Sequence, residues 1–317
     1  MRSLIVLFLF LSFLYLGCGG PSATNSTPAA ASSSPAAKPV SGTDEELQKQ
    51  IASIAAEAQG KVGVYALLIE DGRTASLNGK EHFVMQSVVK LPVAMAVLKL
   101  VSEGKLRIDD KIEFSKNELA NPGQRSPLRD ENPNGGSATV DELLRLAVSE
   151  SDGTACDVLT RLAGGPAGLQ AYIESIGITD IKAPKTHREF GKEWALQYEN
   201  WATPEAAVKL LDVLHRGESG IGQQQKDLLI KYMTEGPTGA NRIKGLLPPG
   251  TPVAHKTGSS GTRDGVAAAT NNVGIITMPN GKHIAIAVFV GDSKADEKTR
   301  EAVIAKTAKA VWDAWTR

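Results

Sequence analysis

The chain has 317 residues, 42% of them hydrophobic, and its 35 basic and 35 acidic side chains cancel to a formal net charge of zero. That balance supplies no field for drawing in nucleic acid or an anionic membrane surface. Five scattered histidines (His82, His187, His215, His255, His283), with no close His pair and no cysteine cluster, disfavour a metal-assisted reaction and predict neither a metal nor another cofactor.

At the N-terminus Arg2 precedes an apolar run from Leu4 to Leu16, followed by Gly17-Cys18-Gly19-Gly20. The run is shorter than the roughly 20 residues a membrane-spanning helix needs, so residues 1–17 read as a secretory leader of lipoprotein type. Cys18 lies where such a leader is cut and acylated. Residues 18–42, rich in Ser, Ala, Pro and Thr with no apolar period, read as a flexible tether. The expectation is a bacterial protein, periplasmic or secreted, with a lipid on Cys18 as its one membrane contact. Residues 43–317 form the folded domain, long enough to bury a large core. Cys156 is the other cysteine and falls on the apolar side of a predicted helix, as a buried, inert thiol does.

Within that domain, Asp44 to Ala58 reads as a helix, Val62 to Ile69 as a strand closing on the Asp71-Gly72 turn, and Arg73 to Leu77 as its hairpin partner. Helical periods follow at Val140 to Val148, Thr154 to Leu162, Leu169 to Ile176, Pro204 to His215 and Gln223 to Tyr232. Strands return at Val253 to Lys256, Val266 to Met278 and His283 to Val290, with Pro279-Asn280-Gly281 as a turn, and Lys294 to Trp315 closes the chain as a helix. Strands at both ends and helices between predict an α/β (α+β) fold. Its antiparallel sheet is formed by both chain ends and flanked by helices, and an all-helical lobe is inserted at about residues 87–240.

Three short patches carry the chemistry. Ser87-Val88-Val89-Lys90 stands at the head of an apolar helix-forming run, with the lysine one turn below the serine and on the same face, where its amine can take the hydroxyl proton. Ser151-Asp152-Gly153 precedes an amphipathic stretch, and Lys256-Thr257-Gly258 closes a strand. Singly, they also fit a helix start, an N-cap and a strand end with a turn glycine.

In this order the patches resemble the Ser-x-x-Lys, Ser-Asp-Asn and Lys-Thr-Gly set of class A serine β-lactamases and penicillin-binding proteins. The flanks Gln197 to Trp201, Arg242 to Pro248 and His255 to Thr262 look most like the PER and VEB branch of class A. The resemblance implies a monomer that takes a β-lactam as its small-molecule substrate. Ser87 would form an acyl-enzyme, Lys90 would move its proton, and Ser151 would relay that proton to the leaving nitrogen. Lys256, Thr257 and Ser259 would hold the substrate carboxylate, with Gly258 between them, and the backbone N–H groups of Ser87 and Ser259 would form the oxyanion hole.

Two departures stand out. Gly153 occupies the place of an asparagine that would contact the substrate amide. An ungapped alignment of the loop before Pro204 puts His187 where the family carries its deacylating glutamate, while Glu189 fits only with a two-residue shift. Either residue could serve as the base, or neither, in which case the acyl-enzyme persists. Two rivals to a β-lactamase therefore stand: a penicillin-binding D-alanyl-D-alanine peptidase, and a lipoprotein that senses β-lactams by acylation without turnover.

Overall fold

The computed structural model describes residues 45–316; the stretches expected to be a leader and a tether, Cys18 among them, lie outside the described residues. Helix α1 (Glu45–Ala56) leads into strands β1 (Lys61–Leu68) and β2 (Arg73–Leu77), and the chain returns much later as β3 (Val253–Ser259), β4 (Thr270–Thr277) and β5 (His283–Gly291). These strands form one antiparallel sheet in the order β2-β1-β5-β4-β3, with Val64 opposite Val288, Ala287 opposite Val273, and Val273 opposite Lys256. Both chain ends thus build the sheet, as the run of strand signals predicts.

Side chains alternate across a strand, and β5 shows what that does to a central one. Ile284, Ile286, Val288 and Val290 enter one core with α1 and the closing helix Glu297–Trp315, while Ala285, Ala287 and Phe289 enter a second core shared with the inserted lobe. Nearly every residue of β5 is buried for that reason, and each large aliphatic side chain contributes about 1.5–3 kcal/mol on leaving water. A charge at Val288 would have no route to solvent on either face.

The lobe is built round helix α2 (Lys90–Ser102), whose residues Lys90 to Leu98 are all buried, as befits a helix that is apolar all round. Packed against it is α3 (Gly153–Leu162), and α4 (Pro204–Arg216) lies against β5 and β1. The lobe is helical in its bulk, with short ladders that have no period long enough to read: Lys111–Ser115 pairs with Gly135–Thr139, and Trp201–Ala202 lies between Phe83–Val84 and Ile181–Lys182. The stretch expected as one strand from Val266 to Met278 is divided. Val266–Ala267 pairs back on Thr262–Arg263 through Asp264-Gly265, both at positive φ (52° and 76°), the two-residue turn that suits strand twist, and β4 starts only at Thr270.

Candidate active site

Ser87 lies in a single 3-10 turn, Gln86–Val89, immediately before α2. Residues three apart eclipse in such a turn, so Lys90 stands directly over Ser87, and its Nζ donates to Ser87 Oγ at 2.9 Å. The same Nζ reaches the Ser151 carbonyl oxygen at 2.7 Å and Ser151 Oγ at 3.4 Å. From the sheet side, Lys256 Nζ donates to Ser151 Oγ at 3.0 Å and to its neighbour's carbonyl, Thr257 O, at 3.2 Å. Two lysines, both essentially without solvent exposure, therefore converge on one serine hydroxyl. Burial pushes the Lys90 amine below the usual lysine range, against the pull of Asp152 and Asp157. Burial and then the charge of Lys90 push Lys256 down further. A neutral amine beside Ser87 can accept its proton, and the chain of contacts from Ser87 through Lys90 to Ser151 can pass that proton on.

Two local devices hold this geometry. Ser151 has φ +60°, a conformation that costs a non-glycine residue about 1–3 kcal/mol unless its surroundings impose it. Asp152 imposes it: its carboxylate caps α3 through Ala155 N at 2.8 Å and also takes Leu128 N at 2.7 Å and the Ser126 hydroxyl at 3.0 Å. At Gly258, a Cβ would fall well inside contact distance of the Met85 carbonyl oxygen and 3.2 Å from the Val88 nitrogen. Glycine there lets β3 lie against the Ser87 turn.

The resulting cleft, about 510 Å³, is lined by Ser87, Ser151, His187, Thr257 and Ser259 together with Gln86, Arg125, Glu193, Thr238 and Arg242. That volume suits a small organic ligand. One wall is rich in hydroxyls and positive charge: Thr238 and Thr257 share a hydrogen bond at 2.9 Å, and Arg242 Nη2 donates to Ser259 Oγ at 2.8 Å.

A family model described as "Beta-lactamase enzyme family" matches residues 46–315 of this sequence. The chain belongs to that family. It is similar to β-lactamase VEB-1 of Pseudomonas aeruginosa, with 40% identity over 85% of this chain and 90% of that protein, and to extended-spectrum β-lactamase PER-1 of the same species, with 38% identity over 84% and 86%. Among solved structures it resembles a β-lactamase from Chitinophaga pinensis DSM 2588, with TM-score 0.82 and 43% identity over 85% of this chain and 99% of that one. It is equally like the TLA-1 extended-spectrum β-lactamase, with TM-score 0.83 and 42% identity over 86% and 99%.

Against this family background the loop residues separate. His187 opens a short helix, His187–Phe190, and is 7% exposed at the cleft wall. The buried carboxylate of Asp157 grips that helix start by accepting His187 N at 2.6 Å and Arg188 N at 2.8 Å, and burial pushes its carboxyl pKa up to about 6 despite those bonds. The His187 ring packs on Phe190 at 4.7 Å, and its Nδ1 has no hydrogen-bond partner among the described residues. Burial, then Lys90 and Lys256, hold the imidazole well below its ordinary pKa, so it is neutral at pH 7. Gly153 explains the fit: a Cβ there would lie 2.8 Å from His187 Nδ1. The imidazole fills the space that a side chain at residue 153 would need. Glu189 is exposed, and its carboxylate closes a capping box on Thr186, with Thr186 N at 2.8 Å and Thr186 Oγ1 at 2.9 Å. It does not line the cleft.

Sequence reasoning assigned no role to Arg242, Thr238 or Asp157. Arg242 was legible only as a flank. Its place comes from a buried cradle of Glu301 at 3.0 Å and the Asn271 carbonyl at 3.0 Å behind β3, which no local spacing reveals. Asp157 had a partial signal, standing one helical turn after Gly153 on the face toward the loop.

Proposed function

We propose that this protein hydrolyses the β-lactam ring of penicillins and cephalosporins through an acyl-enzyme on Ser87, without a cofactor. The observation that carries the reading is the buried contact chain Ser87 Oγ to Lys90 Nζ to Ser151 Oγ to Lys256 Nζ, at 2.9, 3.4 and 3.0 Å. The neutral form of Lys90, which burial favours, takes the Ser87 proton as Oγ bonds to the lactam carbonyl carbon. The carbon–nitrogen bond then breaks, and Ser151 delivers the proton to the departing nitrogen. Thr257, Ser259 and Arg242 receive the substrate carboxylate, with the Arg242 guanidinium supplying the positive charge on that wall. In the second half-reaction His187 takes a proton from water as that water adds to the ester carbonyl carbon; the bond to Ser87 Oγ then breaks, and the imidazolium returns the proton to Oγ as the ring-opened acid leaves.

A second reading, acylation without turnover, is favoured by one observation: the Glu189 carboxylate is engaged in its capping box outside the cleft. Mixing the purified protein with nitrocefin while recording both the time course and the intact mass separates the two. Steady turnover with a transient adduct supports the hydrolase. One stoichiometric burst with a lasting adduct overturns it in favour of the sensor, and release of D-alanine from a model peptide would support a peptidase. The Leu4 to Leu16 run and Cys18 support export to the bacterial periplasm or exterior with a lipid anchor.

A further inference from the structure

Away from the cleft, three metal-ligating side chains meet at one corner of the sheet. Glu70 follows β1, His283 opens β5, and His215 lies in the last turn of α4, so three distant parts of the chain supply them. The sheet brings the first two together: Ile69 N donates to His283 O at 2.9 Å and His283 N to Glu70 Oε2 at 2.8 Å. His283 Nδ1 then lies 2.7 Å from Glu70 Oε1, and His215 Nε2 approaches that same oxygen at 4.0 Å. The two imidazoles have centroids 4.3 Å apart at an interplanar angle of 48°, and all three donor atoms fall within 4.8 Å of one another.

Those distances suit one ion. Tetrahedral zinc with ligands at about 2.0–2.1 Å sets its donor atoms roughly 3.3 Å apart. The observed 2.7 and 4.0 Å to Glu70 Oε1 lie on either side of that value and the two imidazole donors are within 4.8 Å, so side-chain shifts on the order of 1 Å would complete three ligand bonds. The side chains are 34%, 29% and 25% exposed for Glu70, His215 and His283, which leaves an entry path and room for a water as fourth ligand. The nearby cations are turned to other partners: Lys226 Nζ donates to the His215 carbonyl at 3.1 Å, and Arg216 bonds Asp212 at 2.8 Å and the Ile69 carbonyl at 2.6 Å. None of the three ligands lines the active-site cleft.

We propose that Glu70, His215 and His283 form a binding site for one divalent transition-metal ion, zinc first, that ties the end of α4 to the sheet. Two imidazoles and one carboxylate with an open position make a set used for zinc and related ions, and a clip of this kind stabilises the fold because the unfolded chain scatters its ligands.

The test uses the full chain, purified without a polyhistidine tag and stripped with EDTA. Zinc is titrated in competition with a chromogenic chelator, and cobalt is added separately as a spectroscopic probe. The proposal expects one equivalent of zinc, visible cobalt bands of four-coordinate intensity, and a midpoint of thermal unfolding raised by several degrees when zinc exceeds its dissociation constant 100-fold. His215→Ala and His283→Ala should each weaken binding at least about 100-fold, since even an outer-shell partner is commonly worth 10–100-fold. Nitrocefin acylation by the metal-free variants should match the parent. Glu70→Gln keeps an acceptor for His283 N and guards against a folding artefact: it should unfold like the metal-free parent yet bind zinc poorly. Absence of stoichiometric binding, or binding that survives both histidine variants, would overturn the site. The latter would assign the ion elsewhere in the chain.

Discussion

The fit between Gly153 and His187 can be measured as a coupling energy. Gly153 is the first residue of α3 and does not have positive φ, so its backbone would accept any side chain. What excludes one first is the imidazole, with the Ala120 Cβ at 3.2 Å as a second tight contact. A Cβ would lie 2.8 Å from Nδ1 and 3.0 Å from Cε1, where ordinary contact begins at 3.4 Å, so the ring must retreat by roughly half an ångström. Phe190 stands behind it at 4.7 Å, and Asp157 pins the His187 backbone. Gly153→Asn should therefore cost about 1–3 kcal/mol by overpacking and lower the unfolding midpoint by roughly 3–10 °C for a domain of this size. His187→Ala, which leaves a void, should cost about 2–4 kcal/mol. In the double variant the asparagine occupies the vacated space, so the sum should fall short of additivity by about 1–3 kcal/mol. Urea unfolding of the four proteins at one pH gives the cycle. Additivity to within about 0.5 kcal/mol would refute the idea that the two positions compete for one volume.

Further outcomes follow from the same geometry. His187→Ala should slow decay of the acyl-enzyme at least about 100-fold with acylation little changed, whereas Glu189→Ala should alter that decay less than threefold while losing about 0.5–1 kcal/mol of capping stability; stopped-flow nitrocefin kinetics and intact mass follow both, and equal rates would dismiss His187 as the base. Gly258→Ala should push β3 away from the Ser87 turn and depress acylation by about 100-fold or more, because a displacement near 1 Å is enough to spoil alignment; an unimpaired variant would show that the close approach is dispensable. For Asp157, a folded-state pKa of about 6 against an ordinary 3.8 means a contribution to stability that is complete below 3.8 and lost as pH rises through about 6. The stability of the parent minus that of Asp157→Asn should accordingly shrink between about pH 4 and about pH 7 in denaturant titrations, and a difference independent of pH would contradict the assignment.

Much of the architecture was legible because it is written in short-range periods. Val140–Val148 is legible to the residue, and Pro204–Arg216 to within one, since Thr139 and Thr203 cap them and apolar residues recur on one face. The Asp264-Gly265 turn was also written in the chain, but the apolar run beyond it concealed the break before Thr270. Ser87 and Lys90 were readable as a pair because three residues and one turn separate them.

The sequence by itself determined the strands at both ends, the helices between, and the order of the three short motifs, because each depends on neighbours within a few residues. Only the tertiary structure decided that Lys90 and Lys256 share the Ser151 hydroxyl, that His187 faces the cleft while Glu189 turns to solvent, and that Glu70, His215 and His283 meet at one corner. Those facts depend on which strand lies beside which helix and on burial shared by distant segments. Proton affinity, ring placement and ligand convergence are properties of an environment, and a linear chain has none until it packs.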